Sequence, residues 1–130
     1  MRKTIAPLAL LLSILATGAV ANDEHHIKAD LVPIGGSGVS GFVQLVQLPH
    51  GGTNIHVIAR GLTSGTVYTS FYYESDDCSA PADPLETFTA NAAGEGEANG
   101  KIDEDLDEVG SVSVRLGAGY GPLEACATVH

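Results

Sequence analysis

Gly61-Leu62-Thr63-Ser64-Gly65 followed by Thr66-Val67-Tyr68-Thr69-Ser70-Phe71-Tyr72-Tyr73-Glu74 is the stretch that decides the fold. Two glycines bracket a turn, and Thr66 to Glu74 is rich in the aromatic and β-branched side chains that suit a pleated strand. The same grammar recurs on both sides. Ile27, Ala29 and Leu31 alternate with Lys28 and Asp30 before the Gly35–Gly38 turn. Phe42 to Leu48 is a mostly apolar run that ends at Pro49-His50-Gly51-Gly52, and Ile55, Val57 and Ala59 alternate with His56 and Arg60. After a loop holding Cys78, Pro81 and Pro84, shorter strands are expected over 86–90 and 97–102. Val112, Val114 and Leu116 then alternate with Ser111, Ser113 and Arg115, and 123–129 forms the last strand. Two-residue alternation between glycine-rich turns, with no sustained helical period, predicts about eight antiparallel strands in an all-β Greek-key sandwich or barrel.

The chain begins differently. Arg2 and Lys3 precede an apolar run from Ile5 to Ala16, and Ala19-Val20-Ala21 has the small-x-small form of a cleavage site. The run falls short of the ~20 residues that span a bilayer, so residues 1–21 read as a secretory signal rather than an anchor. Cleavage after Ala21 leaves 109 of the 130 residues, one domain over 22–130 with no internal repeat and no linker. Export places it in the periplasm or outside the cell. No Cys near the cleavage point would carry a lipid. Asn22 to His25 reads as a frayed start.

Loss of Arg2 and Lys3 leaves four basic residues, Lys28, Arg60, Lys101 and Arg115, against sixteen acidic ones, a side-chain charge of −12. Such a surface repels nucleic-acid phosphates and anionic lipid, which excludes both as partners and leaves a protein or small molecule of unidentified kind.

The Gly61–Gly65 turn, the strand through Glu74, Cys78 and the late Leu123-Glu124-Ala125-Cys126 together resemble the copper/zinc superoxide dismutase family. The resemblance implies an eight-stranded Greek-key barrel. It also implies a disulfide between Cys78 and Cys126, in keeping with two cysteines in an exported chain. Free thiols or a metal-binding pair are the alternatives, and no other Cys or nearby His would complete a soft-ligand site. Closing the loop between them would stabilise the fold by about 4 kcal/mol, less any strain.

The family's two copper-binding histidines fall on Ser70 and Tyr72, which share one strand face, with Val67, Thr69 and Phe71 expected on the opposite, core face. Neutral Ser is a poor copper ligand, and Tyr binds metal well only as a phenolate. The segment 79–85 holds no His for a zinc loop, the late His falls near Arg115 or Leu116, and the anion-guiding Arg falls on Leu123 beside Glu124. The acidic surface offers no long-range attraction for superoxide, an anion. The resemblance therefore implies the scaffold without its metals: no catalytic residue, no cofactor, and a binding or structural module. The alternatives are a divergent metal-dependent dismutase with nonstandard ligands, or a chordin-type domain, whose own strand histidines are equally missing.

The remaining candidates read as follows. His56 is a surface or edge residue, His50 a turn residue and His130 terminal. Cleavage after Asn22 would leave Asp-Glu-His25 as a square-planar copper or nickel site, but the small-residue rule places the cut after Ala21. Asp103-Glu104-Asp105-Leu106-Asp107-Glu108 has calcium-loop spacing, yet Glu108 stands where glycine is needed and Val114 where the bidentate Glu is needed, so a solvated acidic loop is expected. The segments Gly35–Gly38 and Gly117–Gly121 precede no helix and cradle no phosphate. Tyr68 and Tyr72, beside Ser70, form a contact patch if that face is exposed, and cover the core's edge if it is not.

Overall fold

A computed structural model describes residues 25–130. The expected leader, its cleavage site and Asp23 and Glu24 of the N-terminal metal motif lie outside the described residues. Eight strands follow in order: β1 (His26–Pro33), β2 (Ser40–Gln47), β3 (Thr53–Arg60), β4 (Val67–Tyr73), β5 (Ala82–Thr89), β6 (Gly96–Ile102), β7 (Ser111–Leu116) and β8 (Leu123–Thr128). One 3₁₀ turn, Leu106–Glu108, precedes β7, and no α-helix occurs among the described residues. Most strand limits match the alternation in the sequence. The fifth starts at Ala82 rather than Glu86, because a bulge opposite Ser70 and Phe71 lets β5 pair past Pro84 down to Tyr73. His25 is not frayed at its carbonyl, which accepts from the Gln47 amide at 2.8 Å.

The strands form one antiparallel sheet in the order β5-β4-β7-β8-β1-β2-β3-β6. Strands β4, β5 and β6 follow one another as neighbours, and β3 lies beside β6, which is a Greek-key arrangement. The sheet curls until β5 and β6 meet. There the Asn99 amide donates to Glu86 Oε1 at 2.8 Å, Leu85 covers Gly100, and Phe88 covers Gly96, where a Cβ would meet its ring at 2.6 Å. Side chains rather than a backbone ladder bring these two strands together, so the barrel is nearly closed.

Alternation fills the interior. Ile27 and Leu31, Val43 and Leu45, Ile55, Val57 and Ala59, Ala98 and Ile102, Val112 and Val114, and Ala125 and Ala127 form one apolar cluster. Tyr68 belongs to this cluster and Tyr72 packs against it. The expected assignment of faces on β4 is therefore reversed. Tyr68, Ser70 and Tyr72 point to the barrel core, while Phe71 and Tyr73 point outward into a second cluster with Cys78, Ala82, Leu123 and Cys126. Both faces of β4 are covered, so hydrophobicity alone does not tell them apart. Pairing with Val112 and Val114, across from Tyr72 and Ser70, settles which is inner.

Gly41 pairs with Leu31 of β1 on one side and Ala59 of β3 on the other. Its φ of +136° is reserved for glycine, and a Cβ there would strike the Ile58 carbonyl oxygen. Gly35, with φ +60°, has open space around it. Gly41→Ala is expected to lower the unfolding free energy by about 2–4 kcal/mol and Gly35→Ala by about 1 kcal/mol, read by urea denaturation. Equal losses would contradict the packing described for β2.

Candidate functional site

The second cluster lies on the outer face of β4, β7 and β8, beneath two loops. Loop 74–81 folds up from one end of the barrel and loop 117–122 folds down from the other. Cys78, in the first loop, is bonded to Cys126 of β8, with Cα atoms 6.1 Å apart. Cys78 holds a φ of +59°, a region that costs a non-glycine residue about 1 kcal/mol or more. Its surroundings fix it there: its amide donates to Ser111 Oγ at 3.0 Å, and its carbonyl accepts from Arg115 Nη2 at 3.1 Å.

Arg115 is the centre of this face. It is 8 % exposed and enters no ion pair among the described residues. Neutral oxygens surround it instead. Nε donates to Tyr73 Oη at 2.9 Å, Nη1 to the Gly121 carbonyl at 2.8 Å, and Nη2 to Tyr120 Oη at 2.9 Å as well as to Cys78. The Tyr120 ring lies over the guanidinium at 3.8 Å and meets Phe71 edge-on at 5.2 Å. Tyr73 also shares a hydrogen bond with Ser113 Oγ at 2.6 Å. Burial pushes the Tyr73 phenol above its ordinary range, and its bonds to Ser113 and Arg115 offset part of that rise. The planar fork of arginine can serve acceptors in several directions at once, which a lysine ammonium cannot do at this reach.

Ser70 and Tyr72, the positions that would carry paired ligands, are poorly suited to metal. Ser70 is fully buried in the barrel and donates its hydroxyl to the Ser113 carbonyl at 2.9 Å. Tyr72 donates to Glu104 Oε1 at 3.3 Å. Burial first, then the negative charges of Glu104 and Asp83, push its phenol up to about 12, so it stays protonated near neutrality. Tyr68 is buried and its hydroxyl accepts from the Thr63 amide at 2.9 Å, so no exposed tyrosine patch forms on that face. Leu123, opposite Arg115, is half-buried against Phe71 and Tyr73.

The histidines are dispersed. His56 faces outward from β3 and contacts Glu97 Oε1 at 3.1 Å, in the body of the sheet rather than at an edge. His50 is exposed in its turn, and His130 Nε2 meets the Leu106 carbonyl at 3.0 Å. In the acidic run, the Gly52 amide and Gln47 Nε2 donate to Asp105 Oδ1 at 2.9 and 3.0 Å, holding its carboxyl below the usual range. Glu108 caps the Asp105 amide at 3.0 Å, and the Glu104 carbonyl accepts from Thr53 Oγ1 at 2.8 Å. These groups pin the barrel's lower loops to one another. Among the described residues no group of three or more His, Cys, Asp or Glu side chains is arranged to hold a metal ion.

The sequence gives little warning of Arg115, Tyr73 and Tyr120. Ser111, Ser113 and Arg115 form the polar half of an alternating strand, which reads as a solvent face. The available signal is the cysteine pair: a bond from Cys78 to Cys126 draws loop 74–81 across this face and takes it out of water. No protein-family model matches the chain, and comparison with curated proteins finds no match.

The raised phenol of Tyr72 has a pH consequence. A folded-state pKa near 12 against an ordinary value of 10 favours the neutral, folded phenol. Its contribution is complete below about pH 10 and is lost as pH rises toward 12. Alkaline unfolding curves should show that decline, shallower in Tyr72→Phe, and absorbance titration should show a late-ionising tyrosine missing from the variant. A Tyr72→Phe profile identical to the parent would contradict the assignment.

Proposed function

We propose that this chain is an exported, non-catalytic β-barrel module, built on a scaffold resembling copper/zinc superoxide dismutase but without its metal site, that acts through binding or as a structural unit. The observation that carries this reading is the state of Ser70 and Tyr72. One hydroxyl is sealed inside the barrel and bonded to a carbonyl. The other belongs to a phenol that stays protonated and bonds to Glu104. Neither supplies what copper requires, an exposed imidazole or a phenolate.

Three further features support it. The eight-stranded Greek-key barrel and the Cys78–Cys126 bond agree with what the resemblance implies. The disulfide is consistent with an oxidising compartment. Arg115, the arginine on the outer face of β4, β7 and β8, is committed to four oxygens and a ring, which leaves it unsuited to guiding a free anion.

The test is elemental analysis of the purified protein, after dialysis against chelator and reloading with copper and zinc, alongside a superoxide dismutation assay. The expected outcome is far less than one metal per chain and a rate no faster than the uncatalysed reaction. One tightly held metal per chain with activity that follows it would overturn the reading.

A further inference from the structure

A notch of about 170 Å³ opens on the outer surface where β3 ends and β6 begins. Pockets for drug-sized molecules enclose about 300–1,000 Å³, so a ligand that fits here is smaller. Its two walls are chemically opposite. β3 supplies Arg60 and the half-buried Ile58, while Glu95 and Glu97 stand across from them. The register explains their meeting on one face. Ile58 pairs with Glu97 and Ala59 with Gly96, so Arg60 stands opposite Glu95. Backbone bonds fix both walls. The Leu62 amide donates to the Gly94 carbonyl at 3.0 Å, and Asn91 Oδ1 accepts from the Ala93 and Glu95 amides, both at 2.9 Å. Little ordering of the backbone is left for a ligand to impose.

The charges in the notch remain open. Among the described residues Arg60 and Glu95 enter no ion pair. Glu97 Oε1 contacts His56 at 3.1 Å, and His56 lies on the opposite side of Ile58 from Arg60 along β3, so the Arg60 side of Glu97 stays accessible. A direct contact between Arg60 and Glu95 on an exposed surface would be weak, so a ligand that serves both can displace it. A ligand bearing only a carboxylate would meet Arg60 but also two carboxylates, in a chain whose net charge is −10. One bearing only an ammonium would suit the glutamates but set its cation against the guanidinium. A molecule carrying both charges meets each wall with its opposite, and the guanidinium can take a carboxylate through two parallel hydrogen bonds.

We propose that this notch binds a free aliphatic α-amino acid. Its carboxylate rests on Arg60, its ammonium lies between Glu95 and Glu97, and its side chain packs against Ile58. The inference is independent of the absence of a metal site, because neither metal content nor dismutation reports on this end of β3 and β6.

Isotope-labelled protein, produced from the full-length sequence and purified from its host, is titrated with L-leucine at neutral pH while its backbone amides are followed by NMR. Saturable shifts are expected, with a dissociation constant of about 1 mM. They should centre on residues 58–60 and 91–97 and leave β7 and β8 unmoved. Isovalerate and isopentylamine, which each keep one of the two charges, should bind at least ~tenfold more weakly, because each leaves one wall unpaired. Arg60→Gln and Glu95→Gln, both at exposed positions, should each weaken leucine about tenfold. Unchanged amide positions elsewhere in the unliganded variants separate lost contact from lost folding. Absence of any saturable shift overturns the proposal, as does an amine that binds as tightly as leucine or full leucine affinity in Arg60→Gln.

Discussion

The guanidinium of Arg115 is a cation buried where no carboxylate meets it among the described residues. Leaving such a group unsatisfied would cost several kcal/mol. The fold meets that demand by bringing oxygens to it from three directions. Tyr73 comes from β4, Cys78 from loop 74–81, and Gly121 and Tyr120 from loop 117–122. None of the loop oxygens reaches Arg115 unless its own loop is in place. The requirement to solvate one charge thus links two loops that enter from opposite ends of the barrel. The disulfide acts on the same element from the other side. It fixes Cys78 to β8 and limits the freedom of the unfolded chain, while Arg115 reads out whether loop 74–81 has reached its position.

This lock explains why the outer face of β4, β7 and β8 differs from the rest of the barrel. Elsewhere most outward positions are the polar partners of an apolar interior, as with Gln44, His56 and Asn99 across β2, β3 and β6. Here the outward positions are Phe71, Tyr73, Ser113 and Arg115, and they form a second, partly polar core. The same loop that hides them presents Tyr120 to solvent. The buried charge and the exposed ring are in this sense two sides of one loop, since the ring that shields the guanidinium is also half exposed to solvent.

The architecture was legible in the sequence because strand periodicity is local. Alternating Ile, Val and Leu with intervening glycine-rich turns set out eight strands, and the limits moved furthest where a bulge let β5 run past Pro84. Side assignment on β4 was not legible. Its two faces are both covered, so Ser70 and Tyr72 look no more internal than Thr69 and Phe71 until pairing with Val112 and Val114 is known. The Arg115 centre was hidden for a related reason. Ser-x-Ser-x-Arg describes a wet strand face, and only a contact far along the chain makes it dry. The acidic run shows the converse: its composition resembles a cation loop, but Asp105 and Glu108 are taken up by nearby backbone amides.

The central claim is that Arg115 couples loops 74–81 and 117–122 into one unit, and Arg115→Lys with the disulfide intact tests it most directly. Lysine keeps the charge but concentrates its three donors at one atom, so it cannot reach all four oxygens that the guanidinium serves. Hydrogen exchange read by mass spectrometry, with urea unfolding on the same samples, reports on both loops. The account predicts a loss of about 2–4 kcal/mol and faster exchange in 74–81 and 117–122 together, with β1, β2 and β3 unchanged. Faster exchange in one loop alone, or stability within about 0.5 kcal/mol of the parent, would contradict it.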